Sequence, residues 1–73
     1  MAKGLEVFDI FGAEYYVDWR RVTRGASFFL PTTATARQVR KILTPICKEL
    51  DIEVTVRQRC EYGMYGVRVW RTL

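Results

Sequence analysis

The chain has 73 residues, 49% of them hydrophobic and 14% aromatic, with a net charge of +4 and a pI near 9.4. A chain of this length makes one domain that buries only about 60% of its unfolded surface; its apolar content excludes a disordered polymer, and no apolar run reaches the roughly 20 residues of a membrane span. The charge is divided: residues 1–18 carry Glu6, Asp9, Glu14 and Asp18 against Lys3 alone, a net −3, while residues 19–73 carry eleven Lys or Arg against four acids, a net +7.

The front of the chain, MAKGLEVFDIF, lacks the continuous apolar core and small-residue cleavage site of a signal peptide, so a cytoplasmic location is expected. Leu5 to Phe11 alternates loosely and Gly12-Ala13 breaks the run, which makes residues 1–13 either an extended arm or an extra strand. Tyr15, Val17 and Trp19 then alternate with Glu14, Asp18 and Arg20, giving a strand. Thr23-Arg24-Gly25 reads as a turn. Ser27 to Leu30 is a short β-rich run stopped by Pro31, which cannot donate to a ladder.

A helix follows. Thr35 and Gln38 make a capping box, and Val39, Ile42, Leu43, Ile46, Cys47 and Leu50 fall on one apolar stripe. Pro45 lies on the solvent side of that stripe and disfavours a regular helix interior, so the spacing predicts a kinked helix or two short helices with Thr44 capping the second. Arg37, Lys41 and Lys48 line the outward face.

The last elements form a hairpin. Strand side chains alternate with a period of two, so Ile52, Val54, Val56, Gln58 and Cys60 share one face and Glu53, Thr55, Arg57, Arg59 and Glu61 the other. In the return strand Tyr65, Val67 and Val69 oppose Gly66, Arg68, Trp70 and Thr72. A turn at Tyr62-Gly63 sets Val56 opposite Val69 and Arg57 opposite Arg68. The expected fold is a small single α+β domain, an antiparallel sheet of four to five strands in β-β-α-β-β order packed on one amphipathic helix. One helix stripe covers one sheet face and leaves the second open to water or a partner.

Catalysis is hard to build from these residues. The chain has no histidine, which removes Ser-His and Cys-His nucleophile pairs. Two cysteines without histidine fall short of a zinc site, so only a hard, carboxylate-bound cation is conceivable. Neither a GxxxxGK[ST] nor a GxGxxG phosphate loop is present, and Glu61 and Tyr62 beside arginines lack the paired carboxylates of a nuclease. The expectation is a protein that is not an enzyme and needs no cofactor. Cys47 and Cys60 both fall on apolar faces, where buried free thiols are expected in preference to a disulfide.

The basic face carries the functional expectation. Nine of the twelve cations are arginine, suited to planar phosphate contacts, and no acid occurs between Trp19 and Lys48. An aromatic residue among arginines is what base stacking uses. The expected role is nucleic-acid binding, DNA or RNA, dominated by phosphates and weak in sequence selectivity. Its candidate residues are Arg57, Arg59, Arg68, Trp70 and Arg71 on the hairpin, with Arg20, Arg21, Arg24, Arg37 and Lys41 upstream.

The segments 25-GASFFLP-31 and 66-GVRVWR-71, separated by an amphipathic helix and a charged strand, resemble a group of small bacteriophage proteins with a G-x-SFF-x-P … GVRVWR-like pattern. The similarity spans residues 18–71. In layout alone, a basic hairpin after a helix is also similar to the small chromosomal proteins of methanogens that bend DNA. A phage resemblance implies a second role from a different class: blocking a host protein such as an RNA polymerase, a nuclease or a CRISPR effector, in the host cytoplasm. Phe8, Phe11, Tyr15, Tyr16 and Trp19 would then supply aromatic anchors. A third expectation is a homodimer or larger assembly joined through exposed sheet edges. No membrane partner is expected.

Overall fold

A computed structural model describes residues 5–73; residues 1–4 of the expected arm lie outside them. The elements are β1 (Leu5–Ile10), β2 (Ala13–Asp18), β3 (Ser27–Pro31), α1 (Ala36–Leu50), β4 (Val54–Glu61) and β5 (Met64–Arg71). The α+β class holds, and the extra front strand is present. The strands divide between two antiparallel sheets, a β1-β2 ribbon and a three-stranded sheet in the order β3-β5-β4.

Both hairpins close through two residues of positive φ, Phe11-Gly12 (51° and 85°) and Tyr62-Gly63 (54° and 72°). That is the requirement of a type I′ turn, whose twist matches the flanking strands. The Gly12 N–H also donates to Asp9 Oδ1 at 2.9 Å. The ribbon is not hydrogen-bonded into the larger sheet and meets β3 through side chains, with the Tyr15 hydroxyl donating to Pro31 O. Val17 and Trp19 turn inward, and Trp19 meets Phe28 of β3 edge-on at 5.5 Å between ring centroids.

Helix α1 begins with the expected capping box, Thr35 accepting from the Gln38 N–H and the Gln38 side chain accepting from the Thr35 N–H. It ends at Asp51 in the left-handed region, with the Ile52 N–H on Cys47 O at 2.9 Å. The helix runs unbroken through Pro45, so Thr44 does not cap a second helix. Its hydroxyl donates instead to Arg40 O one turn back at 2.7 Å. Continuity wins because the apolar phase does not shift at Pro45: Val39, Leu43 and Cys47 are all buried.

One core unites the parts. It joins those three helix residues to Val56 of β4, Val67 and Val69 of β5, Leu30 of β3, and Phe8, Ile10, Val17 and Trp19 of the ribbon end. Helix and ribbon therefore cover the same side of the three-stranded sheet. Cys47 is buried as expected, and burial pushes its thiol up. Cys60 is exposed, which corrects its assignment to the interior. Its parity is that of Val56, but toward the hairpin tip the inward phase leaves the core: Val67 is the last buried residue of that face, and Gln58, Cys60 and Tyr65 are exposed. Among the described residues no helix is long and apolar enough to cross a membrane.

Candidate functional site

The register of β4 and β5 sets Val56 opposite Val69, Arg57 opposite Arg68 and Thr55 opposite Trp70. Alternation then sends Val56, Val67 and Val69 into the core, leaves Arg57 and Arg59 exposed, and leaves Arg68 and Trp70 half-buried on the outer face. On the other side of β5, Ser27 pairs with Trp70 and Phe29 with Arg68. Trp70 thus rises from the middle strand, at the floor of the open face. Gly66 has a related part: it is buried, and a Cβ there would fall 2.6 Å from Phe29 Cζ, so glycine lets that aromatic ring lie across β5.

Toward the start of β4 and the end of β5 the face forms a shallow, open groove of about 470 Å³. Arg24, Arg57, Arg59 and Arg71 line it around Trp70, and no carboxylate is among the lining residues. The Arg59 guanidinium carbon stands 5.4 Å from the centre of the Trp70 ring, within cation–π range. Arg24 reaches the groove because the Thr23–Ala26 turn is stitched to β5: Gly25 N–H donates to Arg71 O at 2.8 Å, and Arg71 N–H to Ala26 O at 3.0 Å. Gly25 has a φ of 89°, which a side chain there would resist.

Two hairpin arginines are already engaged. Arg71 has the parity of Val69, and its guanidinium donates to Val22 O at 2.9 Å and Leu73 O at 3.0 Å, tying the loop to the C-terminal strand. Arg68 forms two bonds to Glu61, at 2.9 and 3.0 Å, and a third to Ser27 Oγ at 3.0 Å. Those hydrogen bonds hold the Glu61 carboxyl below the usual range and raise Arg68. The remaining expected residues sit elsewhere. Arg20 forks onto Asp18 at 2.8 and 2.9 Å and lowers its pKa, with Arg21 at 3.8 Å from the same carboxylate. Arg37 and Lys41 are exposed on α1, which covers the opposite side of the sheet.

The structure therefore gathers Arg24, Arg57, Arg59, Trp70 and Arg71, and adds Thr55 and Thr72 to the groove wall. Both threonines share the phase of Trp70 or its cross-strand partner, and that parity was the signal available for them. Of the five aromatic residues considered as protein-binding anchors, Phe8 and Trp19 are core residues and Tyr15 is half-buried. Phe11 and Tyr16 stand exposed.

No family model, no curated protein and no solved structure matches this chain. What the groove can do rests on its own chemistry: guanidinium groups without an ion-pair partner among the described residues, one aromatic platform and threonine residues at the edge. That combination attracts an anion and offers a flat apolar surface beside it.

Proposed function

We propose that the protein binds nucleic acid, DNA or RNA, through this groove, holding phosphates with little sequence selectivity and catalysing nothing. The observation that carries the proposal is the lining of one shallow surface by Arg24, Arg57 and Arg59 around a tryptophan, with no acid among the lining residues. Arg24, Arg57 and Arg59 have no ion-pair partner among the described residues, so each can release one condensed counterion on meeting a phosphate. Three such contacts give a fall of log K with log salt of about 2–3, since each contributes about 0.7–0.9.

The test is a titration of labelled DNA and RNA by fluorescence anisotropy, from about 50 to 200 mM salt. Arg57→Ala with Arg59→Ala is expected to weaken every nucleic acid alike and to reduce the slope by about 2, one contact each. No binding at the low-salt end with micromolar protein would overturn the proposal. A protein partner is a second proposal, favoured by the exposed aromatic residues at two hairpin tips, Phe11 at one and Tyr62 with Tyr65 at the other. It requires a stoichiometric partner in a pull-down that survives nuclease treatment.

A further inference from the structure

Resting on the nucleic-acid proposal above, we infer that the groove accepts one unpaired base between the guanidinium of Arg59 and the indole of Trp70, so that the ligand is single-stranded. Trp70 stands on the central strand, bounded by β3 on one side and β4 on the other, and it is half-buried. A platform recessed in this way meets only a base that has left its stack, because the faces of duplex bases are already covered by their neighbours. Single-strand binders join aromatic platforms to a cationic groove that follows the backbone, and both parts are present within one depression here.

The spacing is close to what insertion needs. Arg59 lies 5.4 Å from the Trp70 ring centre. A planar base in contact on both sides, at about 3.5 Å each, needs about 7 Å, so the two groups must part by about 1.5 Å. Arg59 is exposed and has no ion-pair partner among the described residues, so rotation of its own side chain suffices. The guanidinium is planar and stacks on aromatic faces, so the contact it makes with the indole is transferred to the base. Arg24 and Arg57 flank this slot and meet the adjoining phosphates, while the Thr55 and Thr72 hydroxyls meet polar edges that all bases possess.

The test compares three ligands on the whole chain at about 50 mM salt: an oligothymidylate of about 12 nucleotides, an abasic strand with the same number of phosphates, and a duplex of the same length. The thymidylate is expected to bind about tenfold more tightly than the abasic strand, with Trp70→Ala erasing the difference and Trp70→Phe retaining most of it. Intrinsic fluorescence gives a second measurement that needs no variant. Thymidylate should quench Trp70 and the abasic strand should not, with buried Trp19 as the unchanged background. Equal binding of thymidylate and abasic strand, or tightest binding of duplex, overturns base insertion and leaves phosphate contact standing. If none of the three binds, the nucleic-acid proposal itself fails and base insertion falls with it.

Discussion

Arg68 and Glu61 lock each other across the open sheet face through two parallel bonds, Nε to Oε2 at 2.9 Å and Nη2 to Oε1 at 3.0 Å. The pair removes one positive charge from a surface that otherwise collects them, although Arg68 sits directly opposite the exposed Arg57. Glu61→Gln releases it. The variant is expected to bind polyanions several-fold more tightly, with a salt slope steeper by up to about 0.9. Anisotropy titrations of both proteins measure this. An unchanged slope would mean that Arg68 cannot turn toward the ligand.

The same carboxylate sets part of the acid stability. Hydrogen bonds from Arg68 hold Glu61 below its ordinary pKa, and those from Arg20 do so for Asp18. A carboxyl depressed in the folded state binds protons more readily when unfolded. Its contribution is therefore complete above the ordinary range, about 4, and lost as pH falls through the depressed folded values. Thermal melts should show Tm dropping below about pH 4, with a shallower drop in Glu61→Gln and in Asp18→Asn. A Tm independent of pH across that range would contradict the role of both pairs.

Gly66 is the residue on which the outer face closes. A side chain there would meet the Leu30 carbonyl oxygen and the Phe29 ring together, and the backbone oxygen, fixed in the β3–β5 ladder, has little freedom to retreat. Gly66→Ala is expected to cost about 1–3 kcal/mol, the usual penalty of overpacking, which is a large part of the stability of so small a domain. Chemical denaturation checks it, and a loss under about 0.5 kcal/mol, typical of unconstrained surface sites, would show that the Leu30 carbonyl and the Phe29 ring both give way freely.

Much of this arrangement was legible in the chain. Periodicity put Val56, Val67 and Val69 on one face and Arg57, Arg68 and Trp70 on the other, and the turn at Tyr62-Gly63 then set Val56 opposite Val69. The capping box of Thr35 and Gln38 fixed the helix start. What failed depended on lengths and distances that spacing does not carry. Cys60 has the phase of a core residue but lies past the end of the layer that would cover it. Arg68 and Arg71 have the charge of ligand contacts, yet their partners, Glu61 at one site and the carbonyls of Val22 and Leu73 at the other, come together only through the fold. The joining of Arg24 to the hairpin groove, from 33 residues before Arg57, needs the β3–β5 pairing to bring the preceding turn alongside.

Pro45 is an internal flaw in α1 that the core tolerates. It is exposed, so its ring contributes no burial, and it withholds one backbone donor from a 15-residue helix. Pro45→Ala should raise stability by about 1–2 kcal/mol, less than the full interior proline penalty of about 3 because proline also restricts the unfolded chain. A destabilised variant would mean that the backbone geometry proline imposes at this position is required for Leu43 and Cys47 to reach the core together.

Tyr62 occupies the first left-handed position of the β4–β5 turn with φ of 54° and is 92% exposed. A left-handed conformation costs an ordinary residue about 1–2 kcal/mol, and no burial offsets it here. Asparagine, which adopts this conformation readily before glycine, should relieve most of the strain. Tyr62→Asn is expected to raise Tm by about 4 °C or more, corresponding to about 1 kcal/mol in a domain of this size. Phe11→Asn, at the equivalent position of the β1–β2 turn with φ of 51° and 64% exposure, should gain less because part of its ring is covered. A Tyr62→Asn protein that is no more stable, yet binds its ligand more weakly, would show that the aromatic ring is held in this strained position for contact with a partner.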